Sequence, residues 1–194
     1  MNAKQAIRER EAFTLIEMII AITVFTIFIG FSISAYLTFH RADQDALTTR
    51  SLLMDSEAIL NELSDATREN KIDYDAYSGL SSCGGSGSGS LYLISSDGEE
   101  KTVYTWYVDT ESLSVARFAA DCTALSEEQQ LNSENLAVSY VNFEIFPAAN
   151  PYDDPTTTQY QPIVIFDLSF SMAGRMTEAL TLDLRTSVTS RFYQ

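Results

Sequence analysis

The chain has 194 residues, 45% of them hydrophobic, and its formal net charge is −15 at neutral pH. Residues 40–194 hold 9 basic against 24 acidic residues, which accounts for the whole negative balance. Such a surface repels phosphates, whereas sequence-independent nucleic-acid binding needs lysine and arginine to neutralise them. We therefore expect no direct nucleic-acid binding by this chain.

A long apolar segment runs from Phe13 to Phe39, and Glu17 is its only charged residue. Roughly 20 apolar residues suffice to cross the hydrocarbon core. Within lipid the backbone must satisfy its own hydrogen bonds, so the segment is predicted to be a helix. Basic residues precede it and keep that end in the cytoplasm by the positive-inside rule, so residues 40–194 are predicted to be exported. These basic residues are Lys4, Arg8 and Arg10.

The carboxylate of Glu17 needs an explanation, because an ionised group at the centre of a span costs about 2.5–3.5 kcal/mol. Glu17 lies near the end of the span, where the cost is smaller. Two interpretations are open at this point. The carboxylate reaches back to the cytoplasmic headgroups, or it meets a cationic partner inside an assembly.

A secretory signal peptide explains this segment less well. Its apolar core has about 7–15 residues and ends at a small-residue cleavage site. The apolar run here is longer, and cleavage after Ser34 or Ala35 would not explain Glu17. An ordinary uncleaved membrane anchor stays open as the alternative.

After a short basic leader, Ala12-Phe13-Thr14-Leu15-Ile16-Glu17 opens the apolar helix. This N-terminus resembles the processing signature of type IV prepilins and type II secretion pseudopilins. The resemblance implies that prepilin peptidase cleaves between Ala12 and Phe13 and methylates the new amine of Phe13. It also implies that Glu17 pairs with the Phe13 amine of a neighbouring subunit as a filament grows.

Two features depart from the family pattern. The family usually has glycine before the cleaved bond, where this chain has Ala12. The segment also lacks the proline that kinks the helix of many major pilins, and Gly30 is its only helix-loosening residue.

The helical pattern continues beyond the apolar segment. Leu52, Ile59, Leu63 and Ala66 form one apolar stripe, with Ser56 bridging the gap. We predict one helix from about Thr14 to about Asn70, with residues 40–70 as its amphipathic part.

The remainder is predicted to be an exported antiparallel β domain of residues 71–194, which makes the fold class α+β. Asp97-Gly98 marks a hairpin, residues 73–90 a flexible Gly/Ser-rich loop, Pro147–Pro162 a long loop, and Ser126–Asn132 a short helical turn. Gly98 to Phe118 resembles the sheet of minor pilins and minor pseudopilins. Six strands are predicted, at Leu91–Ser95, Thr102–Val108, Leu113–Phe118, Leu136–Phe146, Ile163–Met172 and Leu180–Leu184.

Cys83 and Cys122 both lie on the exported side of this topology. An even cysteine count in an oxidising compartment favours a disulfide. The alternative is two reduced cysteines in a host that lacks oxidative machinery.

No catalytic constellation is recognisable. The single histidine, His40, is far along the chain from either cysteine, and the cysteines lack the paired spacing of a zinc site. Asp153 and Asp154 suit either a calcium site or solvated turn residues. We expect no cofactor and no enzymatic activity.

These features together predict a minor pilin or pseudopilin of a type IV pilus, type II secretion or competence filament. Residues 1–12 form the leader and residues 13–39 the transmembrane and filament-core helix. The expected partners are prepilin peptidase, other pilins or pseudopilins, and the lipid of the bacterial inner membrane. The alternative is an uncleaved single-pass protein that displays an acidic β domain for ligand or partner binding.

Overall fold

The computed structural model describes residues 14–79, 83–85, 89–153, 160–172 and 180–190. The chain divides into two compact units, Met1–Ala46 and Leu47–Gln194. Helix α1 spans Leu15–Glu69, one residue shorter at each end than predicted, and passes from the first unit into the second.

In the first unit, every side chain from Thr14 to Asp43 is exposed. The large apolar residues among them range in exposure from 39% at Ile29 to 79% at Leu15. A helix that is apolar all round is normally buried, so this segment, exposed as it is among the described residues, requires an apolar environment from elsewhere. Among the described residues, α1 is the one helix that is long and apolar enough to cross a membrane.

In the second unit, the chain after α1 forms two antiparallel sheets. The first sheet has five strands in sequence order, so it is a meander. The turn between its second and third strands is centred on Asp97-Gly98, and Gly98 has φ +79°. Its strands are β1 Lys71–Ile72, β2 Gly89–Ile94, β3 Glu100–Tyr107, β4 Ser112–Ala119 and β5 Gln129–Gln130.

The second sheet is a three-stranded meander. Its strands are β6 Leu136–Phe146, β7 Ile163–Met172 and β8 Leu180–Thr189. In β7 every second side chain is buried, from Val164 to Met172, as the two-residue period of a strand requires. Trp106 on β3 donates its indole N–H to the carbonyl of Val138 on β6 at 2.8 Å, which ties the two sheets together.

The core of the second unit lies between α1 and the two sheets. The predicted stripe faces it: Leu52, Ile59 and Leu63 are at most 3% exposed, and Ala66 is partly buried against them. The sheets contribute a larger apolar set, which includes Leu91, Leu93, Tyr104, Leu113, Val138, Val164, Phe166, Leu168 and Phe170. A long N-terminal apolar helix followed by antiparallel sheets confirms the α+β class.

Three local predictions were wrong. Residues 73–90 were predicted to be loop throughout, but α2 spans Tyr74–Tyr77 because Asp73 caps it, accepting a bond from the Ala76 N–H at 3.2 Å. Ser126–Asn132 is not a helical turn, since it contains β5. Leu131 donates its N–H to Leu113 at 2.8 Å, which holds this segment extended beside β4.

The third difference concerns the strands. The described residues form eight strands instead of six, because β1 and β5 were not predicted. Strand β8 also continues to Thr189, five residues beyond the predicted end.

Candidate assembly site

The start of α1 is built around Thr14 and Glu17. Thr14 precedes the helix, and the Glu17 N–H donates to the Thr14 carbonyl at 3.1 Å, with the Thr14 Oγ1 at 3.4 Å. A threonine followed three residues later by glutamate is the sequence pattern of a capping box. Sequence reasoning missed the capping role of Thr14, although this pattern could have revealed it.

Glu17 lies in the first turn of α1 and is exposed. The unpaired N–H groups of a first turn carry a partial positive charge, which stabilises a carboxylate there.

Four hydroxyl groups of the apolar segment donate to backbone carbonyls of their own helix. Thr26 donates to the carbonyl of Ile22 at 2.8 Å, and Ser32 donates to that of Phe28 at 2.9 Å. Because a polar group without a partner is costly in lipid, these bonds suit the segment to an apolar environment. The same bond to the carbonyl four residues back is made by Thr23 and Thr38.

Several predicted site residues lie outside the described residues. These are the predicted cleavage residues Ala12 and Phe13 and the basic residues of the leader, Lys4, Arg8 and Arg10. Of the predicted assembly residues, the structure therefore describes Glu17 and its helix.

Residues 7–33 match the family described as the prokaryotic N-terminal methylation motif. The chain carries the type IV pilin and pseudopilin signature. The comparisons with curated proteins and with solved structures found no match.

The pilin signature has three consequences. It is typical of structural rather than catalytic proteins. It implies processing by a peptidase and assembly with other pilins. Together with an apolar helix close to the N-terminus, it suits a single-pass protein of the inner membrane.

Beyond the pilin signature, Cys83 and Cys122 are joined in a disulfide. Their Cα atoms are 5.1 Å apart across a separation of 39 residues. Cys83 is 2% exposed, and the bond fastens the segment before β2 to the turn after β4. Gly84 follows at φ +68°, and a Cβ there would lie 2.8 Å from the Phe118 ring, so this position requires glycine.

A buried ion pair was not predicted from sequence. The Lys101 Nζ lies 2.9 Å from the Asp73 Oδ2, and the two side chains are 8% and 6% exposed. Asp73 also caps α2, so one carboxylate connects α2 to β3. The pattern before α2 could have revealed the cap, but no local signal marks Lys101, because its partner is 28 positions away in the sequence.

A cavity of about 300 Å³ in the second unit is lined in part by Tyr74, Tyr152, Asp75 and Asp97. Burial, and secondarily the nearby Tyr152, raises the pKa of Tyr74 to about 12. The Tyr74 phenol is therefore protonated at neutral pH and donates to the carbonyl of Pro147 at 3.1 Å. A phenol held in this way acts as a structural donor rather than as a base.

Calcium binding by Asp153 would need further ligands beside it. Among the described residues, no three His, Cys, Asp or Glu side chains come together in a cluster that could hold a metal ion. Asp153 instead accepts a hydrogen bond from the Asn150 amide at 2.7 Å, as a turn residue does. Asp154 lies outside the described residues.

Proposed function

We propose that the protein is a minor pilin or minor pseudopilin, a structural subunit of a type IV pilus, type II secretion or competence filament. The methylation motif over residues 7–33 carries this proposal. The helix that begins at Leu15, within this motif, is apolar and exposed and has Glu17 in its first turn. Residues 1–12 are a leader removed by prepilin peptidase, and residues 13–39 enter the filament core. Residues 40–70 continue the helix, and residues 71–194 are the exported β domain.

Assembly moves an apolar helix from lipid into a bundle of similar helices. Because both environments are apolar, the transfer itself is nearly neutral, and specificity must come from polar contacts. Opposite charges about 4 Å apart attract by about 4 kcal/mol at an effective dielectric constant near 20, against about 1 kcal/mol in water. Pairing of Glu17 with the Phe13 amine of the next subunit therefore offsets the burial of both charges and sets the register.

The N-terminus of the mature protein tests this proposal. Coexpressed with a prepilin peptidase, the chain should yield a product that begins at Phe13 with a methylated amine, as shown by intact mass and N-terminal sequencing. Ala12→Leu should block cleavage, since a bulky side chain does not fit where the family carries glycine, while Ala12→Gly should be cleaved at least as well. A chain that keeps Met1 under these conditions contradicts the proposal.

Ala12 favours a second candidate, in which the protein stays uncleaved and displays its acidic β domain from the membrane. The positive-inside leader then serves only to orient the anchor. In this case Glu17 is dispensable, so the fate of a Glu17 variant separates the two candidates.

A further inference from the structure

The edge strands of the two sheets differ in length and in what pairs with them. The five-stranded sheet ends in β1 and β5, which have two residues each, and such short edges resist pairing with other chains. The edge of β6 is occupied near its start, where Val138 donates its N–H to Glu111 at 2.7 Å and accepts from Trp106. Strand β8 has ten residues, and among the described residues no strand pairs with its outer side.

The backbone of β8 shows which groups point outward. Just after the strand, Ser190 donates its N–H to Pro162 at 3.2 Å, toward β7. In an antiparallel ladder, successive residues direct their N–H and C=O alternately to the two sides. The even positions of β8 therefore bond to β7. The outward positions are Thr181, Asp183, Arg185, Ser187 and Thr189.

The side chains beside this edge are apolar on one face. Leu180, Leu182 and Leu184 are only partly buried, although they pack against the core. A further strand with apolar residues at matching positions would cover them. Among the described residues, the inner face of the sheet is therefore only partly covered at β8.

The other face is acidic. Arg185 lies 3.8 Å from the carboxylate of Glu144 on β6 and opposite Asp167 in the register with β7, so this one cation has two acidic neighbours on the sheet. Asp183 lies opposite the uncharged Ser169. The net charge of these four residues is negative, which favours a basic residue of a partner beside Asp183.

We propose that the outer edge of β8 binds an extended segment of a partner protein in which apolar residues alternate with lysine or arginine. Binding occurs by β-strand addition, in which backbone hydrogen bonds give affinity and alternate side chains give specificity. The apolar residues of the partner cover Leu182 and Leu184, and its basic residues face Asp183. This surface is independent of the apolar helix and of the filament proposal.

The test uses the full chain in detergent micelles and a labelled ten-residue peptide of alternating valine and lysine, with binding read by fluorescence anisotropy. Ser187→Pro removes one outward N–H and places a ring on the edge, a position where proline is tolerated. We expect about a tenfold loss of affinity, the size of one hydrogen bond with its steric block. Ser187→Ala, which keeps the N–H, should bind as the wild type does.

Two controls separate strand addition from simple charge attraction. A peptide of the same composition, with its valines and lysines in separate blocks, has the same charge but the wrong alternation, and should bind more weakly. If it binds equally well, or if Ser187→Pro binds as tightly as the wild type, the proposal is wrong. Near-UV circular dichroism checks that the variant is folded.

If Ser187→Pro does not fold, the Asp183→Lys variant tests the proposal in its place. It should weaken the valine–lysine peptide and strengthen a valine–glutamate peptide, and an unchanged preference overturns the proposal. Sedimentation tests whether a second copy of this chain binds the edge instead. A dimer that forms with the wild type and not with Ser187→Pro would assign the edge to a second copy of this chain, and would overturn the partner proposed.

Discussion

Three structural features of Glu17 bear on its role. Its N–H is bonded to Thr14 at the start of α1, its carboxylate lies in the positive first turn, and its helix is apolar and exposed. Glutamine keeps the backbone bond to Thr14 and the capping pattern, and it gives up only the interaction of the charge with the first turn, which contributes about 0.3–1 kcal/mol. Pairing with a cation needs the negative charge, so the charge can be tested separately from the shape.

Glu17→Gln should insert in the membrane normally and fail to enter filaments. The substitution keeps the size of the side chain and its capping ability, while removing an attraction of a few kcal/mol, which corresponds to a loss of incorporation of more than about tenfold. The measurement is the ratio of protein in sheared filaments to protein in the membrane fraction. Thr26→Val is the matched control, since it removes a hydroxyl from the same helix without altering charge. Normal incorporation of Glu17→Gln would contradict the pairing.

The ion pair of Lys101 and Asp73 makes a prediction for stability. Lys101→Met keeps most of the side-chain volume but leaves the Asp73 carboxylate buried without this cation, which typically costs about 3–5 kcal/mol. Adding Asp73→Asn should recover much of the loss, because asparagine still caps α2 and carries no charge. Urea unfolding of the full chain in detergent measures both variants. A double variant no more stable than Lys101→Met would show that charge burial is not the cause.

At the scale of elements, the sequence was most informative where a pattern repeats. The stripe from Leu52 to Ala66 and the alternation in β7 extend over several periods, so α1, β6 and β7 were predicted almost to the residue. Strands β1 and β5 have two residues each and cannot show a period. Their positions depend on distant partners, as when Lys71 pairs with Ile94, which no local pattern encodes.

The same distinction applies to the candidate site. The resemblance at Ala12 to Glu17 identified the N-terminal motif because it is contiguous in the sequence. The contacts of Lys101 and of Asn132 join distant segments. Asn132, for example, accepts from the N–H of Leu113 and donates to the carbonyl of Leu136. Such a residue looks like any polar loop residue until the fold is known.

The disulfide between Cys83 and Cys122 predicts that the stability of the second unit depends on the redox state of this bond. Closing a loop of 39 residues stabilises by about 4 kcal/mol in the chain-entropy model, through the unfolded state. Reduction should therefore lower the urea midpoint of the wild type. The Cys83→Ser/Cys122→Ser double variant should start near the reduced value and not respond to reductant. An unchanged free-thiol count on reduction, measured by mass after alkylation, would show that the bond is absent in solution.

The molecule as a whole combines an apolar segment, residues 13–39, whose one charge is Glu17, with a strongly acidic remainder. All of the net charge of −15 lies in residues 40–194, whereas the buried core begins at Leu52 and lies entirely within the second unit. The first unit contributes no buried residue among those described. The stability of the folded part should therefore not depend on the apolar segment.

A fragment of residues 47–194 should accordingly fold in water without detergent, with its disulfide intact. Measured in the same detergent, its free energy of unfolding should lie within about 1 kcal/mol of the full chain, because its core keeps every buried residue. Leu63→Ala provides the control: Leu63 is fully buried, so the substitution should cost about 2–5 kcal/mol in both chains. A fragment that lacks near-UV dichroism while the full chain keeps it would show that residues 1–46 stabilise the fold.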